Sequence, residues 1–464
     1  MPSRVVLACA LMLAVPFTTV AAQATKPAKS QPFPFPKTIH TLPNGLRVIF
    51  VPYASKGLVA YYTLMRVGSR NEAEPGRSGY AHFFEHMMFR GTKRHSGAEY
   101  NQTVTRLGLN TNAFTSEDMT VYHLFGPSAA LPTIIEYEAD RFQNLEYTEA
   151  EFKTEAGAIL GEYAKSASNP EQKLEESMLE TAFDKHTYRH TVIGYLADVK
   201  AMPGGFVYAR EFFRRYYTPD NATIVVAGDF DQKQALAQIT AAYSSWKGKL
   251  DAVAIPAEPV HTAPREARVE WPTPTLAHTW LAWHAPSTSV LKDAAVQNVL
   301  DAYLFGPTSA LHQDLVLKRQ LVDSFEPSYN DHRDPGLFGV VARVKADRDV
   351  PTVEAAVEAQ LALLRKGVVD VKRLDAVRSN RKYGAILHLD TADRVAVALA
   401  SSMAPTGDPE YFNKLYAAID QLTAKDLVTF ARTYLVDGNR TIVRLGQKAV
   451  ASSNPPAAAG GGAK

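Results

Sequence analysis

Cysteine is nearly absent from this 464-residue sequence: Cys9 is the only one. No disulfide can form within the chain, so its stability must come from packed apolar cores. Long apolar runs are also missing. The stretch from Val5 to Val15 is too short to span a bilayer. No charge of one sign dominates, because the net charge is +2 and no Lys/Arg block fills any segment. That balance excludes an extended electrostatic face for nucleic acid or for a membrane surface. What remains is 46% hydrophobic and 21% charged residues, an ordinary globular composition. The length exceeds what one core usually serves, so two or more domains are expected.

The first residues read as a secretory signal. Arg4 supplies a positive start, Val5–Val15 an apolar centre, and Ala22-Gln23-Ala24 a small-x-small cleavage pattern. Cleavage is expected after Ala24, with Ala22 as the second choice. Cys9 follows Val6-Leu7-Ala8 in a loose lipoprotein-like box, but the apolar run continues past it and argues against lipidation. Export without disulfides points to a bacterial periplasm.

Residues 25–36 are rich in Pro, Lys and Ser and are expected to form a loose leader. Pro43-Asn44-Gly45 marks a turn into a strand over Leu46–Val51, and Leu58–Val67 reads as a second strand. Helix and strand patterns alternate up to Trp246. Lys247–Arg265 holds Pro256, Pro259 and Pro264 without a period and reads as a linker. Residues 451–464, rich in Ala, Gly, Pro and Ser, read as a disordered tail. These marks divide the chain into a signal (1–24), a first module (25–246), the linker (247–265), a second module (266–450) and the tail. A weak repeat links the modules. Tyr216, Asn221, Thr223, Ile224 and Val225 recur in register as Tyr434, Asn439, Thr441, Ile442 and Val443.

The segment Gly79–Gly91 carries the chemistry. It reads as one helix, with Gly91 as its stop. His82 and His86 are four apart, so both imidazoles leave one face and can grip a single ion. Glu85 lies beside them and can exchange a proton with water at the metal without being a ligand. Phe83, Phe84, Met87, Met88 and Phe89 bury this helix. Histidines in so apolar a setting need a partner, and a metal supplies one. Zinc requires a third protein ligand. Glu155 and Glu162 offer themselves from a helical stretch over Glu151–Tyr163, two turns apart on one face. Periodicity does not choose between them. His186 and His190 are also four apart, but the residues between them read as a loop without a carboxylate pair, so no metal is expected there.

At these residues the chain resembles the pitrilysin/insulinase family of zinc peptidases, the inverzincins. The family spacing from the second histidine to the third ligand falls on Glu162, and a further family glutamate falls on Glu155. The resemblance therefore implies that His82, His86 and Glu162 hold one zinc per chain, with Glu155 as a supporting acid and Glu85 as the catalytic base. Asn112-Ala113-Phe114-Thr115, followed by Thr120 and Tyr122, resembles the family's substrate-binding edge strand. His186-Thr187-Tyr188 with Gly194 also fits a family pattern, and the chain beyond Arg265 resembles the family's metal-free module. Length and a single zinc motif suit the short-chain branch, which includes bacterial peptidases and the mitochondrial processing peptidase.

The resemblance implies an α+β fold: two homologous modules, each a mainly antiparallel sheet with helices on one face. It further implies a clam-shell assembly with a second chain, and a zinc endopeptidase that cuts short or unfolded peptides. One departure stands out. Active assemblies carry an Arg and a Tyr in a pattern that aligns here with Leu315–Asp323, where Val316 and Asp323 occupy those two positions. Lys318 and Leu321 keep the frame, and Arg319 lies three places from the Arg position. Val cannot donate to a substrate carbonyl, and Asp repels a developing oxyanion. A heterodimer with a homologous zinc-free subunit carrying the Arg-Tyr pair is therefore expected. The alternative, a non-catalytic scaffold subunit, fits less well because such chains usually lack the zinc motif.

Overall fold

The computed structural model describes residues 32–448 apart from Asn330. The signal and the tail lie outside the described residues. Within them, two sheets carry the molecule. The first joins β1 (Thr38–Thr41), β2 (Arg47–Pro52), β3 (Leu58–Met65), β4 (Asn110–Thr115), β5 (Thr120–Pro127) and β6 (Ala222–Gly228) in the order β1-β2-β6-β3-β5-β4. The second joins β7 (Arg265–Trp271), β8 (Ala277–Ala285), β9 (Val322–Tyr329), β10 (Gly336–Val344) and β11 (Arg440–Gln447) in the order β7-β11-β8-β10-β9. Apart from β1, the two orders are the same. In each sheet one neighbouring pair is parallel, β2 with β6 and β7 with β11, and the rest are antiparallel.

The weak sequence repeat is thus a structural one, with a physical reason for the residues it keeps. Asn221 closes the helix end before β6 by donating to the Tyr216 carbonyl at 2.9 Å. Asn439 donates to the Tyr434 carbonyl at 2.8 Å before β11. The recurring Thr-Ile-Val triplets are then the buried starts of two equivalent strands.

The central strands are apolar on both faces, because both are covered. On one face of the first sheet, Val48, Phe50, Val59, Tyr61, Tyr122 and Val226 pack against helices of the same half. The other face presents Ile49, Val51, Ala60, Tyr62 and Val225 to Val395, Leu399 and Met403 of the helix Ala392–Met403, which belongs to the second half. The second sheet reciprocates. Its outer face holds Ala282, Val443 and Leu445 against Leu174, Met178 and Ala182 of the helix Pro170–Ala182 from the first half. Helices on one face, as read from sequence, therefore describe each half alone, and each half also caps the other's sheet. A fully buried Leu or Met contributes about 1.5–3 kcal/mol, so these exchanged helices join the halves firmly.

Three sequence expectations need correction. Residues 32–36 are not loose: Phe33 is buried, edge-on to Phe412, and its N–H donates to Asn413. The aromatic side chains outweigh the surrounding prolines. Arg265 is not linker but the first residue of β7, where Asp184 holds its guanidinium. The helix expected over Gly79–Gly91 ends at Met87, and Gly91 lies beyond it in a bridge to Ser96.

A polar contact also joins the halves. Asp334, before β10, accepts from Arg70 Nε at 2.6 Å and pairs with His186 Nε2 at 2.9 Å. Burial raises its pKa, but the hydrogen bonds from His186 and Arg70 prevail and hold the carboxyl well below the usual range. A depressed carboxyl stabilises the fold above its unfolded pKa and loses that contribution as pH falls. Asp334→Asn is expected to cost about 1.5–3 kcal/mol at neutral pH, the scale of hydrogen bonds to charged groups. In urea melts the gap from wild type should narrow below pH ~4.

Candidate active site

The zinc-motif helix, Tyr80–Met87, is held by its own apolar face. Phe83, Phe84 and Met87 are fully buried, and Phe84 stacks on Phe212. Tyr122 donates to the Phe84 carbonyl at 3.0 Å and shares a 2.7 Å hydrogen bond with Tyr217. Thr120 donates to the Val67 carbonyl. These two β5 residues are scaffold beneath the helix.

With that face fixed, His82 and His86 point the other way, towards the helix Glu149–Ser166, and Glu85 reaches β4. His82 Nε2 is 3.8 Å and His86 Nε2 3.7 Å from the Glu162 carboxylate. One ligand atom from each of the three residues lies within 4.8 Å of the others. Glu155 sits elsewhere, on the far nitrogen of His86: its Oε1 is 2.8 Å from Nδ1. The two carboxylates that periodicity could not separate thus meet opposite sides of one imidazole. Glu162 is half-exposed at the mouth, whereas the Glu155 side chain is only 3% exposed. Arg90, one turn past the helix, contacts the other oxygen of Glu155.

The electrostatics suit metal ligation. Burial, and then the neighbouring His86, push His82 down to about 4, which leaves its imidazole neutral at physiological pH. Zinc takes histidine in that form. Hydrogen bonding to Glu155 raises the pKa of His86 and directs its Nδ1 proton to the carboxylate, so that Nε2 faces Glu162. For Glu155 burial acts upward, but His86 and Arg90 prevail and keep it low. Two imidazole nitrogens and one carboxylate oxygen are a donor set that fits zinc with one position left for water or substrate.

Glu85 is outside this ligand group. Its Oε2 accepts a 2.6 Å hydrogen bond from Thr115 Oγ1, at the end of β4. Burial raises the pKa of Glu85 against that hydrogen bond. The Asn112–Thr115 stretch thus lies in the edge strand of the first sheet, with its last residue touching Glu85. Ala113 is buried against the zinc-helix side, while Phe114 is half-buried in the cluster on the opposite face.

The remaining sequence candidates lie apart from the site. His186 pairs with Asp334, and the His190 ring lies tilted against Tyr195. Val316 packs against the core of the second half, Asp323 pairs with Arg343, and Asp314 takes the Arg319 guanidinium. Sequence reasoning missed Arg90 and the role of Thr115. Their partners are far away in the chain, and neither residue repeats with a period.

Two family models match. Residues 54–195 match insulinase (peptidase family M16), and residues 209–381 match the peptidase M16 inactive domain, a description that suits a half without the zinc motif. The zinc protease PqqE of Helicobacter pylori is 29% identical over 412 residues, covering 87% of this chain and 91% of that protein. A crystal structure of a protease from Helicobacter pylori superposes with a TM-score of 0.83 at 28% identity, over 89% of this chain and 99% of the other. The periplasmic protease PqqL of Escherichia coli shares the fold with a TM-score of 0.70 at 22% identity. There 89% of this chain covers 48% of the other, so this chain spans about half its length.

Proposed function

Because this chain belongs to the insulinase family of peptidases, family M16, we propose that it is a zinc-dependent metalloendopeptidase with its active site at His82, Glu85, His86 and Glu162. The observation that carries this reading is the convergence of three ligand atoms beside a half-buried glutamate that Thr115 holds at the end of an edge strand.

His82, His86 and Glu162 would hold one zinc ion. Zinc, when bound, supplies Lewis acidity towards the scissile carbonyl and makes water easier to deprotonate. Glu155 fixes the tautomer of His86, and Arg90 fixes Glu155. Glu85 takes a proton from the attacking water at its carboxylate and returns it to the leaving amine. Its raised pKa suits both halves of that task. The substrate lies extended along β4 and adds a strand to the sheet, with Asn112, Ala113, Phe114 and Thr115 as its contacts. Backbone pairing of this kind gives affinity with little sequence preference, which fits short or unfolded peptides.

The second half adds no Arg-Tyr pair at the aligned positions, because Val316 and Asp323 are committed to packing and to Arg343. A homologous zinc-free subunit that supplies the pair completes the site. Support comes from the double length of PqqL relative to this chain. The N-terminal stretch that reads as a secretory signal supports a periplasmic location. Among the described residues no helix is long and apolar enough to cross a membrane. The test is an assay of the purified chain on a mixture of quenched peptides. The chain alone should cleave weakly, a chelator should abolish the signal, and a zinc-free homologous subunit should raise it. Robust cleavage by the isolated chain would refute the partner requirement, and chelator-resistant cleavage would refute the zinc mechanism.

A further inference from the structure

We propose that Glu72 is a positioning residue for the zinc centre: it caps the first turn of the metal-binding helix from seven residues upstream and so fixes His82. The inference rests on the zinc reading above.

The helix Tyr80–Met87 is only eight residues long, two turns. The first N–H groups of any helix have no partner inside it and are usually satisfied by a side chain at the capping position. Here that position is Gly79, which has no side chain to offer. Glu72 does the work instead. One carboxyl oxygen accepts from the Gly79 N–H at 2.7 Å and the other from the Ala81 N–H at 2.7 Å. Its side chain is fully buried. The positive end of the helix faces this acceptor, as an acidic cap requires.

Gly79 cannot be exchanged for a residue that caps the helix itself. It has φ +91°, and a Cβ there would lie 2.7 Å from the Ile193 carbonyl oxygen. Gly194, at φ +89°, presses back: a Cβ there would lie 2.8 Å from the Gly79 nitrogen. The neighbouring Ser78 is pinned as well, since its N–H and hydroxyl donate to Asp198 at 3.1 and 2.6 Å. Backbone packs on backbone at this turn, so the cap has to come from elsewhere in the chain.

The location gives the cap its consequence. Ala81 N–H, one of the two groups held, precedes the ligand His82 in the first turn. His86 sits one turn further on, where the intrahelical bonds and the Glu155 contact already hold it. Loss of the cap therefore frays the end that carries His82 and leaves His86 in place. His190, whose Nε2 is 3.9 Å from Glu72 and has no hydrogen-bond partner, lines the same pocket. Both Glu72 oxygens serve as acceptors, one for each N–H. A glutamine cannot do the same, because its amide nitrogen donates and would face a helix N–H.

The test uses the full chain as wild type and as Glu72→Gln, with zinc affinity read by competition against a chromophoric chelator well below the melting temperature. Wild type should bind one zinc. Glu72→Gln should bind it roughly 10–100-fold more weakly, the usual effect of losing a group that positions a ligand. Zinc affinity within twofold of wild type in folded Glu72→Gln would overturn the proposal. A wild type that takes no zinc would overturn the zinc reading itself, a separate result. Hydrogen exchange on the metal-free wild type serves where the variant does not fold. Protected amides at Gly79 and Ala81 support a cap built before the metal arrives, and exchange at solvent rates there refutes it.

Discussion

Glu85→Gln is expected to keep zinc and lose catalysis. The candidate ligand atoms, on His82, His86 and Glu162, lie within 4.8 Å of one another, and Glu85 is not part of that group. Gln fills the same space, and its amide oxygen can still accept from Thr115 Oγ1, now 2.6 Å from Glu85 Oε2. What disappears is the ability to take a proton from water and hand it to the leaving amine. General acid–base catalysis is worth about 10²–10⁴-fold, so peptide cleavage by the assembled enzyme should fall by that factor with one zinc per chain retained. Zinc content and turnover measured on the same sample decide the matter. A fully active Glu85→Gln enzyme would remove Glu85 from the mechanism.

Glu162→Gln should do the opposite and lose the metal. The Glu162 carboxylate is the group that both Nε2 atoms face, at 3.8 and 3.7 Å. An amide oxygen carries no charge and is a poorer zinc ligand. Glu155 is on the wrong side of His86 to replace it, because it meets Nδ1. Glu155→Gln should weaken zinc by about 10–100-fold, since it alters the tautomer and basicity of one ligand. Glu162→Gln should weaken it more than that whole range. Chelator competition ranks the two directly, and the reverse order would make Glu155 the ligand.

These two carboxylates also mark where the sequence stopped being informative. Their spacing put both on one helix face, and that was right. The choice between them depends on which nitrogen of His86 each one meets, a tertiary fact that no period carries. The motif His82-x-x-Glu85-His86 was legible because a helix turns local spacing into a shared face. The repeated Tyr-Asn-Thr-Ile-Val signal was legible because both copies solve the same local problem, closing a helix before a buried strand. The exchanged helices Pro170–Ala182 and Ala392–Met403 were not. Each looks like an ordinary amphipathic helix, and only the folded chain shows that it caps the other half's sheet. Phe33 was missed because composition outweighed two aromatics in a proline-rich stretch. Glu72 and Arg90 act across gaps in the chain, so each looked like a lone polar residue, and Thr115 read only as part of the edge strand.

The half-site reading follows from the same comparison of frame and side chain. The second sheet repeats the strand order of the first, yet its residues at the Arg-Tyr positions pack or pair internally. On the proposed reading, the chain would supply a metal centre and a peptide-binding edge, and a second subunit would supply the carbonyl clamp.

The central claim is that one zinc sits among His82, His86 and Glu162. Crystals of the chain grown with one equivalent of zinc test it by anomalous scattering at the zinc edge. The account predicts a single peak bounded by His82 Nε2, His86 Nε2 and a Glu162 carboxylate oxygen. The described residues hold one other group of suitable atoms, at Asp184, Glu258 and His261, where Arg265 already neutralises Asp184. A zinc peak there with none at His82 and His86, or no peak in zinc-grown crystals, would contradict the account.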